Sequence, residues 1–444
     1  MNTIKDSAKQ KEAENNDDDN WENKTSGNKV PSWYANIEQP IKFTKLTNNI
    51  TSSAAVDVVI VGGGIAGMST AYLLSKSGKK VIVIEDGYIG SGETGRTTAH
   101  ITHALDDRYY NLEKTHGQEG AHKAAESHTA AINLIESIVN EEKIDCDFER
   151  LDGFLFVDPS DKKESLDREL EATHRAGIKA IELVERAPLD SFDTGPCLRF
   201  PNQAQFQPLK YLKGLCQATI RYGGEIFTET HAQEINSDAV KISGGYTINA
   251  RKIIIATNAP VVDKTSKIYD KQEAYRTYVI GARIKKGAIP KALYWDTGDH
   301  NSKNRVPPYH YVRIQRIENN ENSDLLIVGG EDHKTGDLGG GEEQDIEERF
   351  ERLEVWTRER FPIQKEKDIE YRWSGQIMEP LDSLAFIGHN PGDANNIYIA
   401  TGDSGNGMTH GTIAGLILAD LILGKNNKWS ALYDPSRKVK KDDN

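Results

Sequence analysis

The chain has 444 residues, 37% of them hydrophobic and 28% charged, with a formal net charge of −13 and a pI near 5.5. That length can bury two sizeable cores, and the acidic balance leaves no electrostatic footprint for nucleic acid or an anionic membrane. The three cysteines, Cys146, Cys197 and Cys216, show no CxxC spacing, which argues against a disulfide framework, a zinc site or an iron–sulfur cluster.

Residues 1–30 are polar and low in complexity, and read as a disordered tail or, alternatively, an acidic docking segment. No apolar leader stands at the N-terminus. The most apolar late run, residues 413–423, is too short for a bilayer and contains Asp420. A cytoplasmic protein with no membrane span is expected. Pro31-Ser32-Trp33-Tyr34 opens the ordered part, with Trp33 expected on the domain surface.

The stretch from Asp57 to Glu85 organises the rest of the chain. Val58-Val59-Ile60-Val61 is apolar without interruption and reads as a buried parallel strand. Gly62, Gly64 and Gly67 then stand at dinucleotide spacing, serving a tight turn, backbone approach to a pyrophosphate, and close helix–strand packing. A helix from Ile65 to Ser77 aims its first N–H groups, at Ile65 and Ala66, toward the phosphates. Residues 81–84 form a second buried strand, and Glu85 at its tip can accept hydrogen bonds from both hydroxyls of an adenosine ribose. An acid at that place favours FAD or NAD over NADP.

The small-residue loop from Gly90 to His100 leaves the same edge, which places Arg96, Thr97, Thr98 and Ala99 against the ligand. His100, His103, His116, His122 and His128 are dense, but no acid or cysteine completes a metal set at ligand spacing. No metal is expected, and the histidines read as solvated or capping. Phe148 to Asp158 reads as a strand pair and Lys162 to Ala176 as a charged helix. Pro208 suits the first turn of another helix. Residues 223–227 resume the sheet, with Ala232 and then Thr257, at the end of the buried run from Ile253, as further dinucleotide contacts.

From Tyr275 to Gly330 the pattern turns to long strands separated by polar loops, an antiparallel sheet that should floor a second domain. Glu342 to Phe361 is a charged amphipathic helix whose charges read as a wet face. Late in the chain, Thr401 to Gly411 is a second glycine-rich turn, opening a helix over residues 412–423. Such a terminus can stabilise negative charge on a reduced flavin. Gly402, Asp403, Gly405, Gly407, Met408 and Thr409 are its expected contacts with the cofactor, joined by Gly375 from the earlier Trp373-Ser374-Gly375 segment.

The fold expected is α/β: a Rossmann-like domain binding FAD or NAD, with a second α+β substrate domain built on an antiparallel sheet. The first is assembled from residues 31–110, 200–265 and 370–437, the second from 111–199 and 266–369. A hydrolase is excluded by the lack of a G-x-S-x-G elbow. A flavin disulfide reductase would need a second fingerprint, which Gly339-Gly340-Gly341 does not supply.

Several long motifs occur in order: Thr94 to His100, Tyr309-His310-Tyr311-Val312-Arg313, Gly329 to Gly336, Trp373-Ser374-Gly375-Gln376, and Ala400 to Gly411. On these the chain resembles the D-amino-acid oxidase-like family of FAD-dependent oxidoreductases over roughly residues 31–437, and within it the branch usually followed by a Rieske domain. The resemblance implies FAD extended across the first domain, its flavin ring at the domain junction under the antiparallel sheet. The chain stops soon after Arg437, where the Rieske domain of longer relatives would begin, and holds no pair of Cys-His ligand motifs. D-amino-acid and glycine oxidases carry a carboxylate-pairing arginine just after the Trp-x-Gly motif. Here that position is Ile377. The late segment has no cysteine, so FAD should be non-covalent.

These features imply oxidation of a C–N bond in a small-molecule amine or amino-acid derivative, with a hydride passing to flavin N5. The alternatives are a flavin dehydrogenase that passes electrons to a separate carrier, and a non-catalytic flavoprotein. Tyr311 is placed toward the flavin cavity as an orienter, with Arg313 expected on the opposite face of the same strand. His333 and, less directly, Tyr278 are candidate polar contacts.

Overall fold

The computed structural model describes residues 30–37, 40–49, 56–259, 267–302, 304–305, 307–318, 320–335, 342–363 and 368–439. The expectations for the N-terminal tail through residue 29 and for Gly339-Gly340-Gly341 lie outside these residues.

The two apolar runs near residue 60 and residue 82 are buried because each lies inside a sheet covered on both faces. They form β1 (Val56–Val61) and β2 (Val81–Ile84), joined by α1 (Ile65–Lys76). The chain continues through β3 (His100–Ile101), α2 (Tyr109–Glu142), β4 (Glu149–Phe156), α3 (Glu164–Arg175), β5 (Glu182–Val184), β6 (Cys197–Gln205) and α4 (Pro208–Arg221). Next come β7 (Glu225–Phe227), β8 (Ala232–Ile235), β9 (Ala239–Ile242), β10 (Thr247–Asn258), β11 (Gln272–Lys285), β12 (Leu293–Asp296), β13 (Tyr311–Arg316) and β14 (Ser323–Lys334). The described chain closes with α5 (Glu342–Arg360), β15 (Ile369–Pro380), β16 (Phe386–His389), β17 (Ile397–Thr401), α6 (Gly407–Ile422) and the short α7 (Ser430–Tyr433).

Among the described residues the strands form two sheets. The first runs in the order β16-β17-β10-β1-β2-β7, parallel from β17 to β7, with β8 and β9 attached to the start of β10. Met68, Ala71 and Tyr72 of α1 pack with Ile413, Ile417 and Leu418 of α6 on one face of it. Val59, Val61, Ile82 and Ile84 on the other face pack under Val240 and Ile242.

The second sheet runs β15-β11-β14-β13-β12-β4-β6-β3, antiparallel except where β12 meets β4. The alternation of side chains across it decides the rest. Tyr278, Ile280, Val312, Ile314 and Val328 point outward and are covered by Phe350, Leu353 and Trp356 of α5. Thr277, Val279 and Tyr311 point the other way, toward the first sheet.

The structure corrects several expectations. Residues 149–156 are one strand with a register shift near Gly153, paired on one side with β6 and on the other with β12. β3, β6 and β15 belong to the second sheet, so the pieces 31–110, 200–265 and 370–437 do not divide cleanly from the rest. Trp33 is core: it is 1% exposed, and its Nε1–H donates to the Thr97 carbonyl at 2.7 Å. The last long helix begins at Gly407, five residues before the expected start at 412. Tyr311 and Arg313 stand two apart on β13, so they share a face and do not diverge as expected, because side chains on a strand repeat every two residues.

Candidate active site

The turn after β1 is drawn tight by contact. A Cβ on Gly62 (φ 115°) would lie 2.4 Å from the Ala256 carbonyl oxygen, and one on Gly67 would lie 2.0 Å from the Gly62 carbonyl oxygen. No side chain fits at either place, which seats α1 against both strands and leaves its first turn open. A cavity of about 500 Å³ begins there, with Gly62, Gly64, Ile65 and Ala66 on its wall. Gly67 lies outside it and acts through packing.

Glu85 stands at the same mouth. Its carboxylate accepts from the Gly63 N–H at 2.6 Å and the Gly87 N–H at 2.9 Å. Burial pushes its pKa up, and those two N–H groups oppose the shift. A carboxylate offers about four lone-pair positions, so acceptor capacity for two ribose hydroxyls remains. Ala232 and Thr257 line the cavity nearby.

The loop after β2 crosses the middle. Arg96, Thr97 and Thr98 line the cavity, and the loop is pinned from several sides. Trp373 Nε1–H donates to the Arg96 carbonyl at 2.8 Å, Arg96 Nη1 donates to the Ser374 carbonyl at 3.2 Å, and Gln376 N–H donates to Glu93 Oε2 at 2.7 Å. Ala99 is fully buried behind the loop. Gly375, Gly402, Asp403, Gly405, Gly407 and Met408 come from β15 and the second glycine turn to the same cavity. Asp403 accepts from Met378 N–H at 3.2 Å, and burial raises its pKa to about 7. Thr409 faces away: its Oγ1 meets His128 Nδ1 at 2.8 Å.

The far end of the cavity is aromatic and hydroxylic. Tyr311 Oη lies 2.6 Å from Thr277 Oγ1. The His100 ring meets Tyr311 edge-on at 5.8 Å and Trp295 at 6.4 Å, while Tyr309 lies 5.3 Å from Tyr311. His100 is held neutral, its pKa pushed down to about 3 by burial and by the Arg313 charge. Tyr309 donates to Asp106 Oδ2 at 2.6 Å, and burial raises the Asp106 carboxyl to about 7 against that hydrogen bond.

Of the residues singled out for chemistry, the structure brings only Tyr311 to the cavity. Arg313 is fully buried, its Nη1 donating to the carbonyls of Thr98, Ala99 and Phe206, each at 3.0 Å. His333 lies on the outward face, stacked on Tyr278 with ring centroids 5.7 Å apart. His103 and His128 are buried, which corrects the solvated reading. Sequence reasoning missed Thr277, Trp295, Asp106 and Tyr309, although Tyr309 opens the Tyr-His-Tyr-Val-Arg motif. Cys146, Cys197 and Cys216 are free and buried, and none of them lines the cavity.

The residues present fit a flavin dinucleotide: a closed glycine cradle, a carboxylate with spare acceptors, and a second helix N-terminus on the wall of the same cavity. Residues 57–421 match the family described as FAD dependent oxidoreductase, DAO. A Bacillus subtilis (strain 168) protein named as a Rieske 2Fe-2S iron-sulfur protein, YhfW, is 30% identical over 90% of this chain and 76% of its own. The γ-glutamylputrescine oxidoreductase of Escherichia coli (strain K12) is 26% identical over 86% of this chain and 87% of its own. Glycine oxidase from Geobacillus kaustophilus shares the fold, with a TM-score of 0.65 at 18% identity over 87% of this chain and 99% of that one. The cradle, the two-sheet frame and the family match converge on one conclusion: the chain belongs to the DAO family of FAD-dependent oxidoreductases.

Proposed function

We propose that this chain oxidises the C–N bond of an amine or amino-acid derivative. One observation carries the reading. One cavity is walled both by the two glycine turns, where the cofactor would be held, and by Thr277, Trp295, Tyr309 and Tyr311, which form a chamber beside the second turn. Names of relatives that act on glycine and on γ-glutamylputrescine support the substrate class.

Bound FAD supplies a two-electron acceptor that takes hydride at N5. The chain's own residues would hold and surround it. Gly62, Gly64, Ile65 and Ala66 would meet the pyrophosphate with backbone N–H groups, and Glu85 the ribose. Arg96, Thr97 and Thr98 cover the middle. The N-terminus of α6 at Gly407 and Met408 would offset negative charge at the reduced ring. Tyr311, tied to Thr277, orients the substrate, and the aromatic wall excludes water from it. Ile377 also lines the cavity, where relatives that bind α-amino acids carry arginine, so the substrate is held by something other than a carboxylate clamp. The imine product then hydrolyses in water to a carbonyl compound and the freed amine.

The test is anaerobic mixing of FAD-loaded protein with a panel of amines and amino acids, followed by air. Bleaching of the flavin by at least one amine is expected. No bleaching across the panel would favour the non-catalytic flavoprotein. Rapid reoxidation by oxygen marks an oxidase; slow reoxidation marks transfer to a separate carrier.

A further inference from the structure

The carboxylate at the chamber's far end has a setting unlike that of Glu85 or Asp403. Asp106 lies between β3 and α2 and lines both the 500 Å³ cavity and a second one of about 760 Å³; Asp106 and Tyr309 are the described residues the two share. It packs against the second glycine turn, its Oδ2 2.1 Å from where a Cβ on Gly405 would stand. Tyr309 braces Oδ2, and no described cation stands within ion-pair distance of the carboxylate. Arg108 bears on it electrostatically, as do Asp107 and Asp332, but the Arg108 guanidinium donates to the carbonyls of Leu105 and Asp296, each at 3.2 Å.

Around it the chamber wall is aromatic: Trp295, Tyr309 and Tyr311, with the neutral His100 steeply inclined to two of these rings. Aromatic faces attract cations, most strongly where water is excluded. Along the described cavity wall the acids are Glu85, Asp86, Glu93, Asp106 and Asp403, against the single guanidinium of Arg96, which turns to the Ser374 carbonyl. On the described wall of the 500 Å³ cavity a substrate carboxylate would find no cation besides Arg96, whereas an ammonium would find both a carboxylate and a set of rings; Arg108, Lys114 and Arg305 line the second cavity, on the other side of Asp106.

We propose that the substrate is an amine that binds as a cation and bears no carboxylate on the reacting carbon, and that Asp106, braced by Tyr309 beside Tyr311 and Trp295, recognises its ammonium. This rests on the reading of the site as an amine-oxidising one and adds the group that selects the substrate. The neutral amine needed for hydride loss forms when the ammonium gives one proton to the Asp106 carboxylate, leaving R–NH2 and a carboxylic acid.

The test uses oxidised FAD-loaded protein and ligands that cannot turn over at a C–N bond: tetramethylammonium, choline, and the uncharged carbon isostere of choline. Binding is read from the flavin difference spectrum. The ammonium probes are expected to bind at pH 8, with the isostere at least tenfold weaker. These probes carry no titrating ammonium, so their affinity should fall as the pH drops below about 7 and Asp106 takes a proton. Asp106→Asn should cost at least tenfold with FAD content unchanged, and Tyr309→Phe should cost less. The isostere comparison and the pH series need no variant, so a poorly folding Asp106→Asn protein leaves the test intact. Failure of both ammonium probes to bind, equal binding of the isostere, or affinity indifferent to pH would overturn the proposal. Bleaching by amines without ammonium binding would leave the reaction assignment standing and remove this one; binding without bleaching would do the reverse.

Discussion

The Arg313 guanidinium lies over the ring of Trp33, 5.3 Å from its centroid, with neither side chain open to solvent. Trp33 donates to the Thr97 carbonyl, while Arg313 donates to those of Thr98 and Ala99. Together they clamp the loop that lines the middle of the cofactor cavity. Arg313 therefore holds backbone and stands outside the cavity wall.

Arg313→Met should strip the two Nη1–H donors that three buried carbonyls share, at about 1 kcal/mol for each ordinary hydrogen bond, hence about 2 kcal/mol of stability. Lysine cannot reproduce the fork, so Arg313→Lys should recover only part of it. The expected result is a lowered thermal midpoint together with faster loss of FAD on dialysis. A variant that keeps both would show that the clamp contributes nothing to the loop.

The first glycine turn, α1 and β2 are legible in the sequence because each depends on neighbours within residues 57–85 and on a backbone geometry that admits few residue types. Trp33 and Arg313 are not, because their burial comes from segments far apart in the chain. Asp106 escapes for the same reason: its partner Tyr309 is 203 positions away, and the strand order β3-β6-β4-β12-β13 brings their segments together. Register across the second sheet fixes which side chains meet the cavity, and residue spacing alone does not supply that register.

Tyr311 and His333 are both catalytic candidates by sequence, and the structure separates them. Tyr311→Phe removes the hydroxyl that meets Thr277 in the chamber, and the loss of one such hydrogen bond, about 1 kcal/mol, should lower kcat/KM by up to about tenfold. His333→Ala should leave turnover unchanged and cost stability, since it stacks on Tyr278 away from the cavity. Steady-state kinetics beside thermal melts separates the two. Equal losses of turnover in both variants would contradict the placement.

Glu169 of α3 caps a different helix: its oxygens accept the Tyr109 N–H at 3.1 Å and the Tyr110 N–H at 3.4 Å, at the start of α2. Burial raises its pKa from 4.5 to about 7. The native state thus holds a proton that the unfolded chain releases between those values. Stability contributed by this group is fully present below about pH 4.5 and declines as the pH rises toward 7, by on the order of 3 kcal/mol over the window. Glu169→Gln should flatten that slope in unfolding midpoints measured across the same range. A slope equal to that of the parent protein would assign the proton elsewhere.

Ile377 pairs with Tyr275 across β15 and β11 and lines the cavity between Gln376 and Met378. An arginine grown from the same backbone position would bring a planar pair of donors into a chamber whose described wall otherwise favours cations. A bidentate guanidinium–carboxylate contact is among the stronger charge-assisted pairs, so Ile377→Arg should create affinity for simple carboxylates such as benzoate and acetate, raised at least tenfold over the parent. The same charge would repel an ammonium, so amine substrates should lose kcat/KM in parallel. Titration of the flavin spectrum with benzoate at constant ionic strength reads the first effect and amine kinetics the second. Gain of carboxylate binding without loss on amines would mean that the two groups bind apart and that residue 377 does not face the reacting end.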